Sequence, residues 1–195
     1  MSKVSFLTGI FSSLLLYFNS NPDIKIVGGF FGFVSLMQLY DWIFWCTTEK
    51  NNTNYFVTKL AMVTNHLQPI VLLLLIMFFK NSVTPRSRYL TYVYGICALY
   101  YTIKIWNNVD YTLPGSTGLV WKWNSENNAT SIYFLFVLVL TALSFDNLTF
   151  PLNIEMVFIN LFSIGLSLSS FKSEQVGRFW CKIAAWVPLL LLLNN

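Results

Sequence analysis

A carboxylate inside an apolar run needs a physical reason to be there, and Asp41 is such a residue. Gln38 and Asp41 stand at i and i+3, so on a helix they share one face. A second polar group, Asn65, His66, Gln68 and Pro69, falls near the centre of another long apolar run. Asn65 and Gln68 share a face there, and His66 is rotated off it by about 100°. Pro69 has no N–H to give, which releases the Asn65 carbonyl from its helical partner. Lys104 closes a further run, and Arg178 and Lys182, one turn apart, open the last one. A charge within hydrocarbon costs a few kcal/mol, so such residues are kept for a purpose.

Two purposes fit. Gln38, Asp41, Asn65, His66, Gln68, Lys104, Arg178 and Lys182 form a polar pocket for a small solute or ion between the second, third, fourth and seventh helices. Alternatively, Asp41 pairs with Lys104, Arg178 or Lys182 as a structural ion pair, and the amides are interhelical hydrogen bonds of about 0.6 kcal/mol each. By helix rise, Asp41 sits roughly 9 Å from the middle of its helix, within reach of water from one side. Enzyme chemistry is poorly supplied. The single histidine cannot build a three-histidine zinc site, and no GxSxG or serine–histidine pattern appears. Lys182 lies too near a helix end for a Schiff-base lysine. The residues call for no cofactor and no metal.

The elements that must position these residues follow from the composition. Of 195 residues, 55% are hydrophobic and 10% charged, with a mean hydropathy of +0.58. Ordinary globular chains carry about 25% charged residues, so the surplus apolar surface calls for a lipid bilayer as partner. Continuous runs such as Pro69 to Phe79 suit helices, because a membrane barrel shows short segments of strict alternation. The net charge of +4 comes from twelve Lys and Arg scattered between the runs, without the basic stripe that nucleic-acid binding needs. Three cysteines, Cys46, Cys97 and Cys181, form no CxxC and read as reduced, buried thiols.

The expected architecture is therefore all-α: one polytopic transmembrane bundle of seven helices over residues 1–195. The runs are Val4 to Phe18, Ile24 to Trp45, Tyr55 to Lys80, Tyr89 to Trp106, Ile132 to Phe145, Met156 to Ser169 and Val176 to Leu193. The first resembles a signal peptide in length, but no small-x-small cleavage site follows, so it is read as a retained helix. Ser2 excludes N-myristoylation. Gly28, Gly29 and Gly32 place small residues where a neighbouring helix can approach closely. The stretch from Asn107 to Asn128, with its Pro114-Gly115-Ser116 turn, is the longest connection and a candidate cover for the pocket.

With seven spans, the loops after helices two, four and six share a side with the N-terminus. Six tryptophans, Trp42, Trp45, Trp106, Trp121, Trp123 and Trp180, fall on or near that side and read as an aromatic interface belt. Eight basic residues gather there against four opposite, which by the positive-inside rule favours a cytoplasmic N-terminus. Sequons at Asn51 and Asn128 argue for the opposite orientation, and a third at Asn147 lies on the other side.

Four short motifs carry a family resemblance: Ser5-Phe6-Leu7-Thr8-Gly9, Gln38-x-x-Asp41-x-x-x-Trp45, Gln68-Pro69 and Trp180-Cys181. Together they resemble a group of short seven-helix membrane proteins of bacteria and large DNA viruses. The richness in Asn, Lys, Ile, Phe and Tyr is similar to that of AT-rich viral genomes. Members carry Gln-x-x-Glu in helix two, so Asp41 is a departure that keeps the charge, and Lys182 stands where an aromatic residue is expected. The resemblance implies the seven-helix fold and supplies no activity. A solute- or ion-handling membrane protein is the leading expectation. A structural or assembly component of a viral membrane is the alternative, and an intramembrane enzyme comes third.

Overall fold

The structure, a computed structural model, describes residues 2–115, 118–121, 123, 129–170 and 181–194. Seven helices appear among them: α1 (Ser2–Tyr17), α2 (Pro22–Cys46), α3 (Asn52–Lys80), α4 (Pro85–Ile105), α5 (Ala129–Asn147), α6 (Leu152–Ser170) and α7 (Val187–Asn194). A helical turn at 181–184 precedes α7 and belongs to the same apolar stretch, Cys181–Leu193. Strands β1 (Leu113–Gly115) and β2 (Gly118–Val120) pair antiparallel in the long connection, with Leu113 opposite Val120. The fold is thus all-α, with one small hairpin.

Local chemistry sets the helix boundaries. Asn21 accepts a hydrogen bond from the Asp23 N–H, and Pro22 starts α2 at a position where its missing N–H costs nothing. Asn51 caps α3 by accepting from the Asn54 N–H at 2.8 Å. Asn81 ends α3 in the left-handed conformation, with φ of 54°. Pro85 opens α4. Each of these helices therefore begins earlier than its apolar run, because a polar first turn reads as loop until the cap is recognised.

Side-chain contacts fix the directions. Lys3 at the start of α1 lies over the Trp42 ring near the end of α2, 5.2 Å from its centroid. Asp23 near the start of α2 meets Lys80 at the end of α3. Lys59 in α3 lies 4.6 Å from the Trp106 ring, just past α4, and Arg86 at the start of α4 meets Asp146 near the end of α5. Consecutive helices from α1 to α5 therefore run antiparallel.

Small residues close the N-terminal pair. A Cβ built on Gly28 would lie 2.6 Å from the Tyr17 backbone N and 2.8 Å from the Ser13 carbonyl, so only glycine permits this approach of α2 to α1. Gly9 has the same role where α1, α2 and the C-terminal stretch converge: a Cβ there would sit 2.8 Å from the Ala185 carbonyl. By length and composition, α2, α3 and α5 are long and apolar enough to cross a membrane. The seven runs of the sequence thus resolve into seven helices, three of which meet that measure among the described residues.

Candidate functional site

The polar residues of α2 and α3 point inward. Gln38, Asp41, Asn65, His66 and Gln68 are all buried, none exposing more than 4% of its surface. On α3, the Gln68 Nε2 donates to Asn65 Oδ1 at 3.4 Å, and the Asn65 Nδ2 donates to the Tyr133 hydroxyl of α5 at 2.8 Å. Gln68 also reaches the Cys181 Sγ at 3.9 Å, which brings the C-terminal turn to the same cluster. The Asp41 carboxylate lies near enough to act electrostatically on that thiol, joining α2 to the set. Nearby, the Tyr40 hydroxyl and Thr64 Oγ1 are 3.1 Å apart and tie α2 to α3.

His66 faces α4 instead, as its rotation from the Asn65–Gln68 face requires. Its Nδ1 lies 2.7 Å from Thr102 Oγ1, and its ring stands 5.7 Å from Tyr101 and 6.2 Å from Tyr133. Tyr94 donates its hydroxyl to the His66 carbonyl at 2.8 Å. The carbonyl that finds a side-chain donor beside Pro69 is thus His66's, one residue on from the one released by the proline.

The long connection covers one end of this cluster. Asn54 holds it by hydrogen-bonding both ways with the Thr112 backbone, donating to its carbonyl at 2.9 Å and accepting from its N–H at 3.1 Å. Trp121 and Trp123 stack at 5.0 Å and are fully buried. Tyr101 donates its hydroxyl to the Trp123 carbonyl at 2.6 Å. An interface belt is therefore the wrong description of these two rings, which pack inside the protein. Trp45 and Trp106 do lie at the surface.

Lys104 departs from the sequence expectation. It is exposed, on the outward side of α4, and stands apart from the buried cluster. Lys182 is partly buried beside Cys181. Arg178 and Trp180 lie outside the described residues. The buried set thus draws on α2, α3, α4, α5 and the turn at 181–184, and sequence reasoning missed Tyr94, Tyr101, Thr102, Tyr133 and Cys181. A signal for three of them exists: Tyr94, Ala98, Tyr101 and Ile105 are the buried stripe of α4, at i, i+4, i+7 and i+11, with Thr102 one position beside it. Tyr89, Tyr92 and Tyr100 fall off that stripe and are exposed.

Several buried polar atoms in this region have no hydrogen-bond partner among the described residues: Gln38 Nε2, His66 Nε2, Gln68 Oε1 and Trp121 Nε1. Buried polar atoms are nearly always paired, so a concentration of exceptions calls for a reason. The set offers acceptors, two donors and a carboxylate, which suits binding and positioning of a polar solute. Among the described residues no three His, Cys, Asp or Glu stand together as a metal would need. No protein-family model, curated protein or solved structure matches the chain.

Proposed function

We propose that this chain is a multi-pass membrane protein whose seven helices all cross the bilayer. Its interior polar cluster, on this reading, binds or passes a small solute or ion around Asp41. The antiparallel order of α1 to α5 and the apolar length of α2, α3 and α5 support the spanning arrangement. The distribution of Lys and Arg favours a cytoplasmic N-terminus.

One observation carries the functional part. Polar atoms of Gln38, His66 and Gln68 are buried without partners among the described residues, in the same interior as the Asp41 carboxylate. A cluster kept only to hold helices together gains most when every member is satisfied, since an unmade buried hydrogen bond costs about 1–3 kcal/mol. A solute that completes the set explains why those groups are retained.

The test is flux in proteoliposomes under proton and cation gradients, with Asp41→Asn beside the parent chain. Parent flux above background that falls in Asp41→Asn supports the reading. Background flux through both proteins supports a structural or assembly role instead. Cysteine accessibility at or after Asn52, Ser82, Gly118, Asn147 and Glu174 maps the spans, and consecutive positions that fail to alternate would remove the seven-span arrangement.

A further inference from the structure

We propose that the inner face between α3, α4 and α5 is a binding site for a small N–H-donating cation, ammonium or a short alkylammonium, received by the Nε2 of His66. This deepens the solute-binding reading and rests on it.

The argument begins with the single hydrogen of a hydroxyl. Thr102 Oγ1 lies 2.7 Å from the Ala98 carbonyl, which can only accept, so the Thr102 hydrogen is committed there. Toward His66 the same oxygen can then only accept. The 2.7 Å contact between His66 Nδ1 and Thr102 Oγ1 therefore requires the hydrogen to sit on Nδ1. In the neutral imidazole, Nε2 is left as a bare lone pair. That nitrogen is buried and has no hydrogen-bond partner among the described residues. Thr102 thus fixes the ring as an acceptor aimed into the protein.

An inward acceptor selects a donor, and the surroundings select its charge. The Tyr101 and Tyr133 rings flank the imidazole, and aromatic faces attract cations. An anion would meet a lone pair and the π-electron density of two rings, both of them repulsive. A divalent metal would need a set of ligands that the described residues do not assemble. A small cation that carries its own N–H donors satisfies the lone pair and the rings together.

The experiment uses the fact that His66 is the chain's single histidine. The full chain, labelled with ¹⁵N-histidine and held in micelles, gives one pair of ring-nitrogen signals. We expect Nδ1 to bear the proton and Nε2 to be bare. Methylammonium chloride should move the Nε2 signal saturably toward its hydrogen-bonded position, while sodium chloride and methanol at equal concentration leave it in place. Thr102→Val removes the acceptor that fixes the ring. It should populate the other tautomer and weaken methylammonium binding roughly tenfold, the worth of about one hydrogen bond. Thr102→Ser keeps the hydroxyl and should retain the parent signature, which separates the tautomer effect from a folding defect. A proton on Nε2 in the parent chain, a response to methanol equal to that for methylammonium, or no response at all would overturn the proposal. An Asp41-dependent flux in a chain whose His66 ignores methylammonium would overturn this ligand and leave the broader reading standing.

Discussion

The two ends of the bundle treat their polar groups in opposite ways. At the end where α2 and α4 begin and α3 and α5 finish, the carboxylates of Asp23 and Asp146 are both answered by named partners. Asp23 meets Lys80 at 2.7 Å and accepts from the Thr149 N–H and hydroxyl. Lys80 also donates to the Asn147 carbonyl. Asp146 accepts from Arg86 through two nitrogens, from Ser87 at 2.7 Å and from Thr84 at 3.3 Å. The Asn147 side chain is committed as well, accepting from the Thr84 N–H and donating to the Leu143 carbonyl. The interior cluster beneath Trp121 and Trp123 instead keeps polar atoms buried and unmatched among the described residues. The first region reads as structural, with charge used to fasten helix ends. The second reads as working, with polarity held in reserve.

The contrast is broken most sharply at Asp23. Asp23→Ala leaves Lys80, about a quarter exposed, without its carboxylate, and should cost about 3 kcal/mol, near the lower figure for a buried pair. Reversible unfolding in mixed micelles measures it, and a cost close to zero would mean that this end is not held by its charges. Gly28→Ala probes helix packing away from either polar region. Its new methyl meets Tyr17 and Ser13 backbone atoms, and the expected loss is about 2 kcal/mol in the same assay.

Asp146→Asn should cost less, about 1 kcal/mol, since Ser87 and Thr84 still find an oxygen there. Arg86→Gln should fall below it, because the guanidinium is largely exposed. At Asp41 the expected signature lies in flux: Asp41→Asn keeps the side chain's shape and should lower flux while costing less in unfolding than Asp23→Ala. A destabilisation as large as that of Asp23→Ala would make Asp41 a structural ion-pair member and erase the difference between the regions.

These two regions were not equally legible in the sequence. Asp41, Gln38 and the Asn65–Gln68 group announce themselves because polarity stands out against an apolar run. Asp23, Lys80, Arg86 and Asp146 sit at run ends, where charges are expected to face water, and nothing local signals a partner. Asp23 and Thr149 are 126 positions apart, and Arg86 and Asp146 are 60 apart. The partners of the interior cluster were hidden for a related reason. Gln68 and Cys181 are separated by 113 positions, and tyrosines on α4 look alike until helical period divides the buried Tyr94 and Tyr101 from the exposed Tyr89, Tyr92 and Tyr100. Trp121 and Trp123 were misplaced because an aromatic residue beside an apolar run suits an interface as well as an interior. The pinning of Thr112 by Asn54 and the bond from Tyr101 to the Trp123 carbonyl draw that connection inward.

The meeting of Gly9 with the Ala185 carbonyl also bears on how the chain is made. The two residues touch in the finished fold, yet a ribosome adding about 5–20 residues per second completes Ala185 roughly 9 to 35 s after Gly9. Throughout that delay the first helix has no C-terminal partner, and its small-residue surface must be held by α2 alone. The Gly28 contact, which needs only the first 28 residues, is therefore the junction that can form early, and Gly9 is the latch that closes last. A nascent chain stalled before Ala185 should show α1 and α2 already crosslinkable through Ser13 and Gly28, with the Gly9 surface still open to reagents.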